Sequence, residues 1–191
     1  MEPWIQTYTG KAAWLFEPGR NDYDIVDIAH ALANLCRFNG HCRRFYSVAQ
    51  HSVILSHAVA PGHALWGLLH DAAEAYLGDV TQPFKEHLDV AVPNAFGYRR
   101  PFHVVERWHE RRITAAFGLD GREPEQVKEA DLRLLATEVR DLMTPDCAET
   151  WSWLPEPYPR AIIPLQPEIA EQAFLHRFEA LTGRPVISPT N

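Results

Sequence analysis

The run Ala64-Leu65-Trp66-Gly67-Leu68-Leu69-His70-Asp71-Ala72-Ala73-Glu74-Ala75-Tyr76-Leu77-Gly78-Asp79 constrains this chain more than any other stretch. Leu65, Leu68, Leu69, Ala72, Ala73 and Tyr76 recur at offsets of three and four, the pattern of a helix with one face in a core. The spacing predicts a single helix from about His63 to Leu77. Gly78 stands where a C-cap favours positive φ, and Gln82-Pro83 opens a short helix to about Leu88. Polar groups break the apolar pattern. His70 and Asp71 lie about 100° apart around the axis, so both side chains reach one point beside the helix. Glu74 follows one turn later on the same side. Burying an imidazole and two carboxylates there is costly unless a cation or hydrogen bonds compensate.

The rest of the chain reads as more helices. Residues 3–16 mix aromatic and β-branched residues around Thr9-Gly10-Lys11, which predicts a short hairpin or extended arm. A phosphate loop is the weaker reading there, because a second glycine and a following helix are missing. Asp27 is the expected N-cap of a helix running to about Phe38, with Arg37 at its dipole-favoured end. The basic loop 39–46 holds His41, Arg43 and Arg44, either solvated or as an anion clamp. Ser47-Val48-Ala49-Gln50 is a capping-box pattern that opens a helix carrying His51 in its first turns. Residues 89–98 read as a loop able to act as a flap. An amphipathic helix spans about Pro101 to Phe117, with its charges from Glu106 to Arg112 taken as a solvated face. A further helix runs from Pro124 to about Met143, with Asp131 on or beside its apolar stripe. The Pro/Trp-rich segment 144–167 is irregular, and an amphipathic helix covers about 168–182, followed by a tail expected to be mobile. The expected fold is mainly α: one domain, an irregular helical bundle with an N-terminal arm.

Composition limits the function classes. The chain has 191 residues with a net charge of −7, which disfavours broad nucleic-acid binding, since that needs a basic face. It does not disfavour a nucleotide in a pocket. No apolar run is long enough for a membrane span, and the N-terminus lacks a basic-then-apolar leader. Cys36, Cys42 and Cys147 have no metal-knuckle spacing and read as reduced thiols of a cytoplasmic protein.

His51, the His70-Asp71 pair and Asp131 together resemble the H…HD…D signature of the HD-domain metal-dependent phosphohydrolase superfamily. Glu74, Asp79, the Pro83-Phe84-Lys85 run and Arg37, fourteen residues before His51, resemble its small 5′-deoxynucleotidase and compact dNTP phosphohydrolase branch. The likeness covers roughly residues 25–140 and implies an HD-type helical fold. It implies that His51, His70, Asp71 and Asp131 ligate a metal, that Glu74 and Asp79 serve proton transfers, and that Arg37 and Lys85 grip the phosphate. Phe38 stands where that branch places a tryptophan near the sugar, which leaves sugar selection open. Two imidazoles and two carboxylates suit a divalent transition metal such as manganese, cobalt, iron, nickel or zinc. Glu74 can equally be a group that orients His70. The expected activity is hydrolysis of deoxynucleoside 5′-monophosphates. The alternatives are a dNTP phosphohydrolase and a catalytically idle nucleotide-binding module. Relatives of this kind are often homodimers, and the helix bearing Trp108 offers an interface.

Overall fold

The structure is a computed structural model that describes residues 3–92, 98–119, 122–145 and 150–186. It is mainly helical, as the periodicity predicts, and opens with a small antiparallel hairpin. Strands β1 (Trp4–Gln6) and β2 (Ala12–Trp14) pair across a turn closed by Thr7 and Lys11. Lys11 reaches Asp22 at 2.7 Å and Asp24 at 3.3 Å, so the hairpin turn is tied to the following loop by ion pairs.

Helix α1 (Ile25–Asn34) is shifted from its expected bounds. Asp24 rather than Asp27 is the N-cap, accepting from the Val26 N–H at 2.9 Å. Asp27 is buried within the first turn, where it accepts from Thr9 N–H at 2.7 Å and the Thr9 hydroxyl at 2.9 Å. The helix ends at Asn34 instead of near Phe38. Arg37 donates its N–H to Tyr46 and Arg43 donates its own to Leu142, so the 37–46 loop is fastened at both sides. That path needs positive φ at Phe38 (55°) and Asn39 (51°), a region that side-chain-bearing residues rarely occupy. The Arg43 guanidinium also bonds the Asp141 carbonyl at 2.7 Å, so it serves as a strap in this loop.

Helix α2 (Val48–Ala58) is the hub. It packs on α1, on α3 (Ala64–Leu69), on α7 (Glu125–Leu142) and on α8 (Pro167–Thr182). Ser47 caps it by accepting from the Gln50 N–H at 3.1 Å. The Gln50 side chain turns away from the box and bonds Ile163 and Leu165, holding the proline-rich segment. One apolar cluster includes Ile28, Leu32, Val48, Leu68, Ile113 and Phe174; a second, around Leu55, Val127 and Leu134, lies between α2 and α7. Leu181 packs against both.

The approach of α3 to α2 depends on Gly67. A Cβ there would lie 3.2 Å from the Ser56 Cα and N atoms and 3.3 Å from the Leu55 carbonyl carbon. These are backbone atoms, so the two helices must separate to admit a side chain. Gly67→Val is therefore expected to lower stability by about 1–3 kcal/mol through overpacking. Thermal melts of the variant would check this, and an unchanged midpoint would contradict it.

The expected single helix from His63 to Leu77 is broken. α3 ends at Leu69, residues 70–73 form turns, and α4 (Glu74–Leu77) follows. Tight bonds from Ala72 N–H to Leu69, Glu74 N–H to Asp71 and Tyr76 N–H to Ala73 carry the chain across the break. Gly78 ends α4 at φ 83°, as expected of the C-cap position.

Helix α5 (Gln82–Lys85) is followed by a hairpin of β3 (Asp89–Ala91) and β4 (Arg99–Pro101), where the sequence predicts a loop. Residues 93–97 of the expected flap lie outside the described residues. Helix α6 (Phe102–Ala116) agrees with its predicted bounds within a residue, but its charged stretch is not wholly a solvated face. His109 is buried: its Nε2 donates to the Leu15 carbonyl at 2.8 Å and its Nδ1 accepts from the Tyr23 hydroxyl at 3.1 Å. Cys36 and Cys42 are free thiols, while Cys147 and the tail from residue 187 lie outside the described residues. Among the described residues, no helix is long and apolar enough to cross a membrane.

Candidate metal centre

Two helices and a turn deliver the site. His51 comes from the start of α2, His70 and Asp71 from the break after α3, and Asp131 from the second turn of α7. His51 Nε2 lies 3.1 Å from His70 Nε2, 3.1 Å from Asp131 Oδ1 and 3.7 Å from Asp71 Oδ2. His70 Nε2 is 3.0 Å from the same Asp71 oxygen. The donor atoms of His51, His70 and Asp131 all lie within 4.8 Å of one another, a group that could hold a metal ion.

The tautomers sharpen this geometry. His51 Nδ1 is 2.6 Å from Glu138 Oε1, and His70 Nδ1 is 3.0 Å from the Gly67 carbonyl. A carboxylate and a carbonyl only accept, so each imidazole donates from Nδ1. When the rings are neutral, both Nε2 lone pairs and Asp131 Oδ1 face one small space, while Asp71 Oδ2 lies 3.0 Å from His70 Nε2 and also accepts from Arg37 at 3.4 Å. Such a set of acceptors needs a positive charge at its centre, either an ion or added protons. The arrangement fits a divalent cation held by mixed N/O ligands.

The titration behaviour follows from the same crowding. Burial and Arg37 push His51 towards neutrality, yet Glu138 and Asp131 outweigh them and its pKa lies above the ordinary value. Burial likewise opposes charge on His70, but Asp71 and Asp131 overcome it and raise the pKa to about 9. Asp71 is held far below the usual carboxylate range: burial works against this, and His70 wins. Asp131 is lowered too, with His51 opposing burial.

A pH dependence of the metal-free protein follows. His70 has its folded pKa raised from 6.5 to about 9, so its contribution is fully present below pH 6.5 and lost as pH rises through about 9. The loss is on the order of 3 kcal/mol, roughly 5–10 °C in melting temperature for a chain of this length. Glu74 and Glu110, also raised by burial, act in the same direction. Metal binding competes with the proton, so added ion should stabilise most at the alkaline end. Melts with EDTA and with added ion across this range test the point, and a flat metal-free profile would contradict it.

Glu138 is a functional side chain that sequence reasoning missed. It is fully buried on α7 and bridges His51 to the Arg37 guanidinium at 3.2 Å. Burial would raise its pKa, but Arg37 and His51 hold it below the ordinary value. Its signal in the sequence was its position seven residues, or two turns, after Asp131.

Glu74 is buried beside the cluster, at the start of α4. Its Oε1 accepts from Lys85 Nζ at 3.3 Å, while Oε2 has no hydrogen-bond partner. Burial, then Asp71 and Asp79, raise its pKa well above the ordinary carboxylate value. Asp79 is half-buried after Gly78, and burial raises it as well. Phe38 lies beside Arg37, the ring centre 5.4 Å from the guanidinium carbon.

The two cations expected to stand ready for a phosphate are both engaged. Arg37 does not end α1; it pairs with Asp71 at 3.4 Å and with Glu138. Lys85 Nζ lies 2.6 Å from Glu106 and bridges to Glu74. Its helix α5 has only four residues, too short to add a dipole-assisted anion site.

Fold and site together define a mainly helical protein with a buried His/Asp group able to hold one metal ion. No protein-family model matches the chain. It is 38% identical over 182 residues to the uncharacterized protein YfdR of Escherichia coli, covering 93% of this chain and 95% of that one. An uncharacterized protein of Rhodobacter capsulatus is 40% identical over 91 residues, 43% of this chain and 46% of its own length. The chain belongs to the same family as YfdR.

Proposed function

We propose that this protein is a divalent-metal-dependent phosphohydrolase of the HD-domain type, acting on the phosphate of a deoxynucleotide. The observation that carries the reading is the group of His51, His70 and Asp131 ligand atoms within 4.8 Å of one another, with Asp71 Oδ2 3.0 Å from His70 Nε2 and 3.7 Å from His51 Nε2. A purely structural metal site would have no use for the buried, unpartnered Glu74 Oε2 alongside it.

The four side chains would hold the ion, which when bound supplies Lewis acidity towards a phosphoryl oxygen and a water of lowered pKa. Glu138 fixes the His51 tautomer, and the Gly67 carbonyl does the same for His70. Glu74, whose pKa burial and the neighbouring carboxylates raise, favours its protonated form more than an ordinary carboxyl group does and can move a proton to a leaving oxygen. Asp79 is the second carboxyl group available for proton transfer. Arg37 and Lys85 would bind phosphate by exchanging a carboxylate partner for it, while Phe38 packs against the sugar.

The test is phosphate release from a panel of deoxy- and ribonucleotides, with manganese, cobalt, iron, nickel or zinc added to protein stripped by EDTA. Metal-dependent release from a deoxynucleotide supports the reading. No release from any member with any metal would leave a catalytically idle nucleotide-binding module as the better account.

A further inference from the structure

A cleft of about 330 Å³ opens directly beside the metal centre, bordered by His70 and by Arg107, Arg111, Arg122 and Lys128. We propose that this cleft binds a second phosphoryl group of the substrate, distinct from the one hydrolysed at the centre. The proposal rests on the phosphohydrolase reading and names the class of nucleotide it acts on: one carrying more than one phosphate.

Charge pairing argues for it. Arg107 and Arg111 are one turn apart on α6 and so present neighbouring guanidinium groups. Among the described residues, the guanidinium groups of Arg107, Arg111 and Arg122 take part in no ion pair or hydrogen bond. Lys128 pairs with the exposed Glu125 at 3.4 Å. In a chain of net charge −7, surplus carboxylates are plentiful, yet these arginines converge on one cleft without pairing. Arg37 and Lys85, by contrast, are already neutralised by two carboxylates each.

The cleft also contains Glu110 and Glu123. Four basic side chains against these two carboxylates leave the walls with a net positive charge. Guanidinium forks match phosphate oxygens in two-point bonds, which suits a site of several arginines to a phosphoryl group more than to a simple halide. His70 belongs to both the cleft and the metal centre, so one ligand can occupy both at once. The second phosphoryl group has two possible sources: the rest of a 5′-polyphosphate chain, or a phosphate on the 3′-oxygen of the nucleotide.

The binding test uses calorimetric titration of the EDTA-treated full chain with tripolyphosphate and with orthophosphate. Wild type should bind tripolyphosphate at least about tenfold more tightly. Arg107→Gln/Arg111→Gln should lose roughly 10- to 100-fold of tripolyphosphate affinity, the scale of one charge-assisted bond or more. Arg122→Gln serves as an independent variant should the double one fail to fold by circular dichroism. Equal tripolyphosphate affinity in wild type and a folded variant would overturn the proposal.

The kinetic arm compares kcat/KM for dATP, deoxyadenosine 3′,5′-bisphosphate and dAMP. A drop of dATP relative to dAMP in the variant assigns the polyphosphate source, and a drop of the bisphosphate relative to dAMP assigns the 3′-phosphate. If wild type hydrolyses dAMP and neither ratio moves in the variant, the cleft is not a subsite. If no nucleotide is hydrolysed at all, the phosphohydrolase reading fails, and the titration alone still decides the cleft.

Discussion

Asp71→Ala is expected to abolish hydrolysis and strip the bound metal, whereas Glu74→Ala keeps the metal and turns over more slowly. The two carboxylates are three residues apart but face different partners. Asp71 Oδ2 contacts both imidazole Nε2 atoms and Arg37, so its loss would remove a proposed ligand and leave the buried guanidinium paired, among the described residues, with Glu138. Removing a ligand withdraws the Lewis acid entirely. Glu74 contacts Lys85, and its free oxygen lies beside the centre. Loss of a proton-transfer group of this kind costs roughly 10²–10⁴-fold in rate. Metal content by atomic absorption and turnover should be measured on both variants and on Asp71→Asn. Equal metal loss in both alanine variants would show Glu74 to be a ligand or its support.

Glu138→Ala should be the most destabilising change at the site. It leaves Arg37 and His51 with a missing partner in a fully buried position, and breaking a buried pair from one side costs about 3–5 kcal/mol. That corresponds to roughly 10 °C or more in melting temperature at this chain length. The variant should also bind metal about 10- to 100-fold more weakly, because the His51 tautomer is no longer fixed. Glu138→Gln keeps an acceptor for His51 Nδ1 and loses only the charge, so it should recover metal affinity more than stability. Melting curves with and without metal, together with metal titrations, separate the two effects. An alanine variant that melts like wild type would mean that Glu138 is not a support of the centre.

Local signals made much of this legible in the sequence. Ser47 capping α2, Gly78 ending α4, the arm around Gly10 and the spans of α6 and α8 all follow from spacing and cap chemistry. The break at His70 was not legible, because its apolar offsets fit a continuous helix equally well. The turns arise where the backbone shortens its hydrogen bonds to turn His70 towards His51. Asp27 was misread because a good capping residue within a helical pattern looks the same whether it starts the helix or anchors a distant arm. Thr9, eighteen residues away, decided it. Arg37 and Lys85 were assigned to the phosphate by resemblance and Glu106 to a solvated face, and their ion pairs depend on residues 11 to 101 positions apart. Glu138 was missed for the same reason: a carboxylate in an amphipathic helix looks like a surface charge until its partners arrive from elsewhere.

The proposed metal centre draws its four side chains from two helices, α2 and α7, and from the turn after α3. Anomalous diffraction from crystals grown with zinc, collected across the zinc absorption edge, tests it most directly. One strong peak is expected at about 2.0–2.2 Å from His51 Nε2, His70 Nε2, Asp71 and Asp131, lost in Asp71→Ala. A peak held by other residues, or fully zinc-soaked crystals with no peak between the two imidazoles, would contradict it.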